Sequence, residues 1–178
     1  VPELSDEKIM LLVKGGHLSE LTELFERYHV PLYNFFWKLT FDKALSEDLT
    51  QNLFLRVIRY RESFQPANGS FRSWIYRMAR NAHLDHIRQE QRMPGRGNAT
   101  DEDFPDTGNT GYAEEQYEKL DQALAQLQPE HREVLVLSRF QGLKYDEISK
   151  IKGLSVSAIK VQVFRALQHL RNFYFSQP

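Results

Sequence analysis

The side chains with the chemistry to hold a metal lie closest together at His83, Asp85 and His86. Two imidazoles and a carboxylate could begin a ligand set. Arg80 and Arg88 on either side disfavour a cation, however, no further ligands are evident, and the chain has no cysteine. There is neither a nucleophile paired with a base nor a glycine-rich phosphate loop, so no cofactor, no metal and no intrinsic catalysis are expected. A different chemistry comes from aromatics interleaved with arginines. Phe64, Phe71, Trp74 and Tyr76 stand among Arg72, Arg77 and Arg80, with Asn81 and Arg88 further along. Rings that stack on unpaired bases, beside cations that hold a backbone, suit single-stranded nucleic acid. The same rings also fit a helix core, and Trp74 sits at a buried spacing. A second set, Ser157, Lys160, Val161, Phe164 and Gln168 with Arg165 beside them, shares one face of the last helix, as a major-groove reader would. A plain three-helix bundle with a solvated face carries the same pattern.

Helices must position both sets. Outside the middle of the chain, apolar residues recur three and four apart with no sustained alternation, which predicts an all-α fold. Ser5 can cap a first helix that stops at Gly15-Gly16. A second runs from Ser19 to about Leu39, its stripe formed by Leu21, Leu24, Phe25, Tyr28, Leu32, Phe35, Phe36 and Leu39, with Pro31 expected to kink or divide it. Ser46 and Asp48 open a third, Leu49 to about Tyr60. Loop chemistry follows over residues 62–70, with Pro66 and an Asn-Gly pair, before Ser70 caps a fourth helix to about Gln91 whose buried face includes Phe71, Trp74, Ile75, Met78, Ala82 and Ile87. From Pro94 to Gly111 the composition is that of a flexible acidic linker. Beyond it, Leu120, Leu124 and Leu127 mark one helix, and Pro129 opens another that stops at Gly142. A short helix (Tyr145 to Lys152), a turn at Gly153-Leu154-Ser155 and a capped last helix to about Phe173 then make a helix-turn-helix. Ile148, Ile151, Leu154, Ile159, Val163, Ala166 and Leu170 form its inward set. Two small helical domains, 1–93 and 112–178, joined by residues 94–111, are the expected organisation.

A hydrophobic content of 41% over 178 residues is enough for such cores. The densest apolar stretch, Leu32 to Trp37, is far short of the roughly 20 residues of a membrane span, and the N-terminus lacks a signal-peptide pattern. A cytoplasmic protein with no stable membrane insertion is expected. The formal net charge of −1 conceals segregation: residues 1–52 carry −4, 53–96 carry +6, 97–128 carry −7 and 129–178 carry +4. Two basic blocks around an acidic one suggest two polyanion-facing surfaces, because local potential attracts phosphate and the total does not.

Two runs then acquire a meaning together. Asp48-Leu49-Thr50-Gln51-Asn52-Leu53-Phe54-Leu55-Arg56-Val57, Phe71-Arg72-Ser73-Trp74-Ile75 and Asn81 to Asp85 with Arg88 resemble the first conserved domain of extracytoplasmic-function (ECF) sigma factors. Leu127-Gln128-Pro129-Glu130-His131-Arg132-Glu133-Val134-Leu135, Gly142 to Ile148, and Gly153-Leu154-Ser155-Val156 with Lys160 resemble the second, in the same order along the chain.

The resemblance implies a promoter-recognition subunit of bacterial RNA polymerase. Asp48, Gln51, Asn52, Phe54 and Leu55 would bind the β′ clamp helices of core polymerase, and the β flap would be a further contact. Phe64, Asn68, Ser70, Arg72, Arg77, Arg80 and Asn81 would capture a base flipped from the −10 element and help melt the duplex. Ser155, Ser157, Lys160, Val161 and Arg165 would read the −35 element. An anti-sigma partner would hold the free protein closed, as a monomer; the charge alternation around residues 97–128 suggests, as the other means of closure, the acidic linker lying over the basic surfaces. This sequence departs from the family pattern at Asn52, often Glu, at Lys144, often a capping Ser or Thr, and at Gln162 and Leu167, frequently Arg. The last two remove phosphate anchors from the −35 helix. A stand-alone helix-turn-helix regulator is the alternative reading, and it leaves the first domain without a role.

Overall fold

Ser5 starts the first helix in the computed structural model, which describes residues 3–93 and 112–178. The linker expected over 94–111 lies outside the described residues. All the regular elements among them are helical, as the apolar spacing predicts. They divide into two units, one drawn from 3–36 and 44–93, the other from 37–43 and 112–178.

In the first unit α1 (Asp6–Lys14) begins where the Ser5 hydroxyl accepts from the Lys8 amide, and ends at Gly15. Ile9, Met10 and Val13 are its buried side chains. Asp6 ties it to the next helix, accepting from Arg27 at 2.7 Å and from the Tyr28 hydroxyl. Burial, then the bond to Asp6, pushes the Tyr28 hydroxyl pKa far up. A 3₁₀ turn (Leu18–Glu20) leads into α2 (Leu21–Thr40), and the helix runs through Pro31 without being divided there. An interior proline costs about 3 kcal/mol. Leu24 and Tyr28 before it and Leu32, Phe35 and Phe36 after it are buried, each worth roughly 1.5–3 kcal/mol, so packing outweighs the lost hydrogen bond. Phe25, expected in the stripe, is 41% exposed.

The connection to α3 (Lys43–Arg59) takes two residues, one of them Phe41 at φ 50. This helix opens earlier than Ser46 and Asp48 suggested, because Ser46 is buried inside it, where its carbonyl accepts from Thr50 Oγ1 at 2.7 Å. Leu49, Leu53, Phe54 and Val57 face inward. After 3₁₀ turns at Arg61–Ser63 and Pro66–Asn68, α4 (Phe71–Gln91) starts where Ser70 Oγ accepts from the Ser73 amide at 3.1 Å.

The second unit contains α5 (Tyr112–Ala125), α6 (Pro129–Leu135), α7 (Tyr145–Lys152) and α8 (Val156–Ser176). The single helix expected from Pro129 to Gly142 widens at Val136 into a π-helical turn through Phe140, after which Gly142 takes φ 67. Lysine has no acceptor to cap α7, so the departure at Lys144 is offset from the other side: Glu147 Oε2 accepts from the Lys144 amide at 2.9 Å. Gly153, at φ 69 and ψ 28, supplies the left-handed turn that separates α7 from α8. Ser155 then caps α8, accepting from the Ala158 amide at 3.1 Å. Ile148, Ile151, Ile159, Val163 and Ala166 form the shared core as expected, whereas Leu154 in the turn is 37% exposed.

Candidate nucleic-acid and polymerase interfaces

The loop before α4 and one face of α4 border an open groove of about 730 Å³ within the first unit. Five of the seven residues expected at a base-capture site line it: Asn68, Ser70, Arg77, Arg80 and Asn81. Asn68 is exposed and donates to Gln65 Oε1 at 3.2 Å, while the Ser70 hydroxyl is engaged as the helix cap. Phe64 and Arg72 are not brought there. The Phe64 ring is fully buried, edge-on to Trp74 at 5.4 Å and to Phe71 at 6.0 Å, because it seals the hydrophobic core under the loop. The Arg72 guanidinium lies near the Tyr28 and Tyr76 hydroxyls, where its charge opposes the burial that pushes Tyr76 up to about 12.

Trp74 divides its surface. It packs on Phe64 and Phe71 and also lines the groove. Sequence reasoning missed the contributions of α3 to this groove, Arg56 and the residue after the helix, Tyr60, because periodicity names a helix's inner face but not the neighbour that its outer face meets. Arg56 bonds to Asp85 at 3.0 Å, and Arg88 lies 3.5 Å from the same carboxylate. Asp85 is thus engaged by two guanidinium groups, and no cluster of three or more ligating side chains occurs among the described residues.

On α3, Asp48, Gln51, Asn52 and Leu55 are all exposed, Leu55 at 63%. Phe54, expected with them, is only 7% exposed, since its position turns it into the core beside Leu53 and Val57. Its ring meets Phe25 edge-on at 4.8 Å, and Phe25 in turn stacks on His29. An exposed aromatic thus stands beside the α3 face where sequence periodicity had placed a core residue.

On α8, Ser157, Lys160, Val161, Phe164, Arg165 and Gln168 are exposed together, opposite Ile159, Val163 and Ala166. Ser155 sits at the helix start as its cap. Phe164, 63% exposed, is the bulkiest member of this face. The helix-turn-helix is tied to α6 by Lys152 and Glu133, whose charges meet at 2.9 Å with side-chain exposures of 3% and 9%. Elsewhere in this unit α5 and α8 border an apolar groove of about 550 Å³ lined by Tyr117, Leu120, Leu167, Leu170, Tyr174 and Phe175 among others.

Residues 24–93 match the family model of sigma-70 region 2, and residues 117–170 that of sigma-70 region 4. The RNA polymerase sigma factor CarQ of Myxococcus xanthus is 30% identical over 159 residues, covering 89% of this chain and 91% of CarQ. The chain belongs to the ECF family of RNA polymerase sigma factors. The ECF sigma factor SigE of Mycolicibacterium smegmatis is likewise 30% identical, over 85% of this chain and 60% of SigE. SigM of Bacillus subtilis is 28% identical over 86% and 94% of the two chains. In fold, this sigma factor is similar to CnrH in complex with the cytosolic domain of CnrY, with a TM-score of 0.75 and 21% identity over 97% of this chain and 99% of that one. It is also similar to the sigma factor RpoE in complex with the anti-sigma factor NepR from Bartonella quintana, with a TM-score of 0.70 and 20% identity over 89% and 99% of the chains. As a sigma factor it binds RNA polymerase core and promoter DNA and directs the initiation of transcription. Sigma factors are in general regulators of transcription rather than enzymes. Among the described residues no helix is long and apolar enough to cross a membrane.

Proposed function

We propose that this sigma factor, acting in the cytoplasm without catalysis of its own, divides promoter recognition between residues 1–93 and 112–178. The exposed face of α3, with Asp48, Gln51, Asn52 and Leu55, docks on the β′ clamp helices of core polymerase. The apolar groove between α5 and α8 is the surface offered to the β flap. The groove on α4 takes a base unpaired from the −10 element, with Asn68 and Asn81 presenting amides to its polar edges, Trp74 a ring to its face, and Arg77 and Arg80 charges to the backbone. The face of α8 enters the major groove at the −35 element, Lys160 and Arg165 anchoring while Ser157, Val161 and Phe164 meet base edges.

The observation that carries this reading is the groove: it gathers arginines, amides and a partly open tryptophan on the helix that follows a loop, which is what an extruded base requires. Since CnrH and RpoE are each seen with CnrY or with the anti-sigma factor NepR, we infer that an anti-sigma protein also occludes this chain.

Binding of the full chain to bacterial core polymerase, compared with an Asp48→Arg, Gln51→Ala variant, tests the first assignment. Tight binding lost in the variant is expected. Absence of core binding by the wild type, together with sequence-specific DNA binding by the free chain, would replace this reading with a stand-alone regulator.

A further inference from the structure

The region 2 family match opens at residue 24, after α1, yet two α1 side chains reach the loop that borders the groove. Lys14 Nζ donates to the Phe64 carbonyl at 2.9 Å, and Glu7 Oε1 accepts from the Phe71 amide at 3.0 Å. Both contacts are part-buried, and they grip the two ends of the segment from Gln65 to Ser70. Between them the chain makes the 3₁₀ turn Pro66–Asn68 and passes through Gly69 at φ 139 and ψ −179, a conformation that L side chains rarely adopt. Gln65 and Asn68 are exposed at the groove and bond to each other. The buried Phe64 ring anchors only the start of the loop, through side-chain packing. The direction of its carbonyl, and with it the course of the backbone toward Asn68, is held by the Lys14 ammonium.

A loop that is ordered before its ligand arrives does not lose that conformational freedom on binding. We propose that α1 is a strut that presets the base-capture loop, with Lys14 and Glu7 as positioning residues that touch no DNA. This rests on the reading of the α4 groove as the site of the unpaired −10 base. Its content is the transmission from α1, through one carbonyl and one amide, to Asn68.

The test uses holoenzyme assembled from the full chain and fork-junction DNA whose −10 strand is single-stranded, taken from a promoter that the wild type selects from random DNA. An abasic scan of that strand locates the captured base, whose removal weakens wild-type binding roughly tenfold. Lys14→Met is expected to weaken binding to the intact fork by about tenfold, the scale of one charge-assisted hydrogen bond, and to add little on the abasic fork. Lys14→Arg, which keeps a donor, restores most of the loss, and core affinity is unchanged in both variants. If Lys14→Met binds the intact fork as well as the wild type, or loses equally on intact and abasic DNA, the strut is refuted while the groove assignment stands. If no abasic site weakens the wild type, the groove assignment fails and takes the strut with it.

Discussion

Severing the ion pair between Glu133 and Lys152 should strongly destabilise the helix-turn-helix, whereas replacing both partners together should not. The two charges meet at 2.9 Å and are 9% and 3% exposed, joining α6 to α7. Removing water from each charge costs several kcal/mol, and their attraction offsets that only while both are present. Glu133→Gln therefore leaves a buried ammonium without a counter-charge, a loss of about 3–5 kcal/mol. A unit of this size is stable by roughly 3–10 kcal/mol, so the single variant lies at the edge of folding. Lys152→Met takes the buried ammonium away from the carboxylate and should also destabilise the unit. The double variant Glu133→Leu, Lys152→Met replaces both charges with apolar groups of similar volume and should fall within about 1 kcal/mol of the wild type, or above it. Hydrogen exchange of the α7 and α8 amides in the full chain reads this local stability separately from the first unit. Binding of −35 duplex DNA should follow the folded fraction, lost in the single variants and kept in the double. Single variants costing under about 1 kcal/mol, or a double costing the sum of the two, would refute the argument that burial makes the pair interdependent.

On the exposed side of α8, Lys160→Ala and Arg165→Ala should each lower holoenzyme affinity for promoter DNA and flatten its logarithmic salt dependence by about one unit, measured by fluorescence anisotropy across salt concentrations. An unchanged slope would mean that they do not neutralise phosphate. Gly153→Ala meets no atom within 4 Å but keeps φ 69, so backbone strain alone should cost about 1–2 kcal/mol, seen as a lower denaturant midpoint at unchanged m-value. His131, edge-on to His169 at 5.1 Å, has its pKa lowered below 6.5 by burial and then by His169, with Arg165 and Lys152 acting the same way and Glu130 against. The folded state thus disfavours the imidazolium; the second unit should lose stability as pH falls from about 6.5 through the depressed folded value, and His131→Phe should flatten that dependence in thermal melts.

The capped boundaries were legible because their signals are local. Ser5, Ser70 and Ser155 each accept from the amide three residues on, and Gly153 takes the left-handed conformation that the turn requires. What failed depended on tertiary partners. Pro31 signals a kink or a division, and the buried residues on both sides of it keep the helix undivided. Ser46 has the chemistry of a cap but lies within a helix and is buried. Phe54 and Phe64 are expected at the polymerase and −10 surfaces, yet both rings are committed to the core, and Phe25, assigned to the core by spacing, is exposed beside Phe54. Periodicity distinguishes inside from outside to within about one residue in each turn, so aromatics at the edge of a stripe are the ones it misplaces.

The same edge positions bear on how the first unit would work. Asp48, Gln51, Asn52 and Leu55 face outward on α3, while Arg56 near the end of that helix and Tyr60 just beyond it line the groove. Arg56 also reaches Asp85 on α4 at 3.0 Å. One helix therefore carries both the surface proposed for polymerase and a wall of the groove proposed for the unpaired base. A helix is stiff over this length, so docking α3 would fix where the groove stands relative to polymerase without any further conformational step. Salt at physiological strength screens exposed charges beyond about 8 Å, so the arginines of residues 53–96 act only on DNA brought close to them. In a chain whose net charge is −1, long-range attraction to DNA is weak. Under the proposed assignment, promoter engagement then depends on polymerase bringing the strand to the groove.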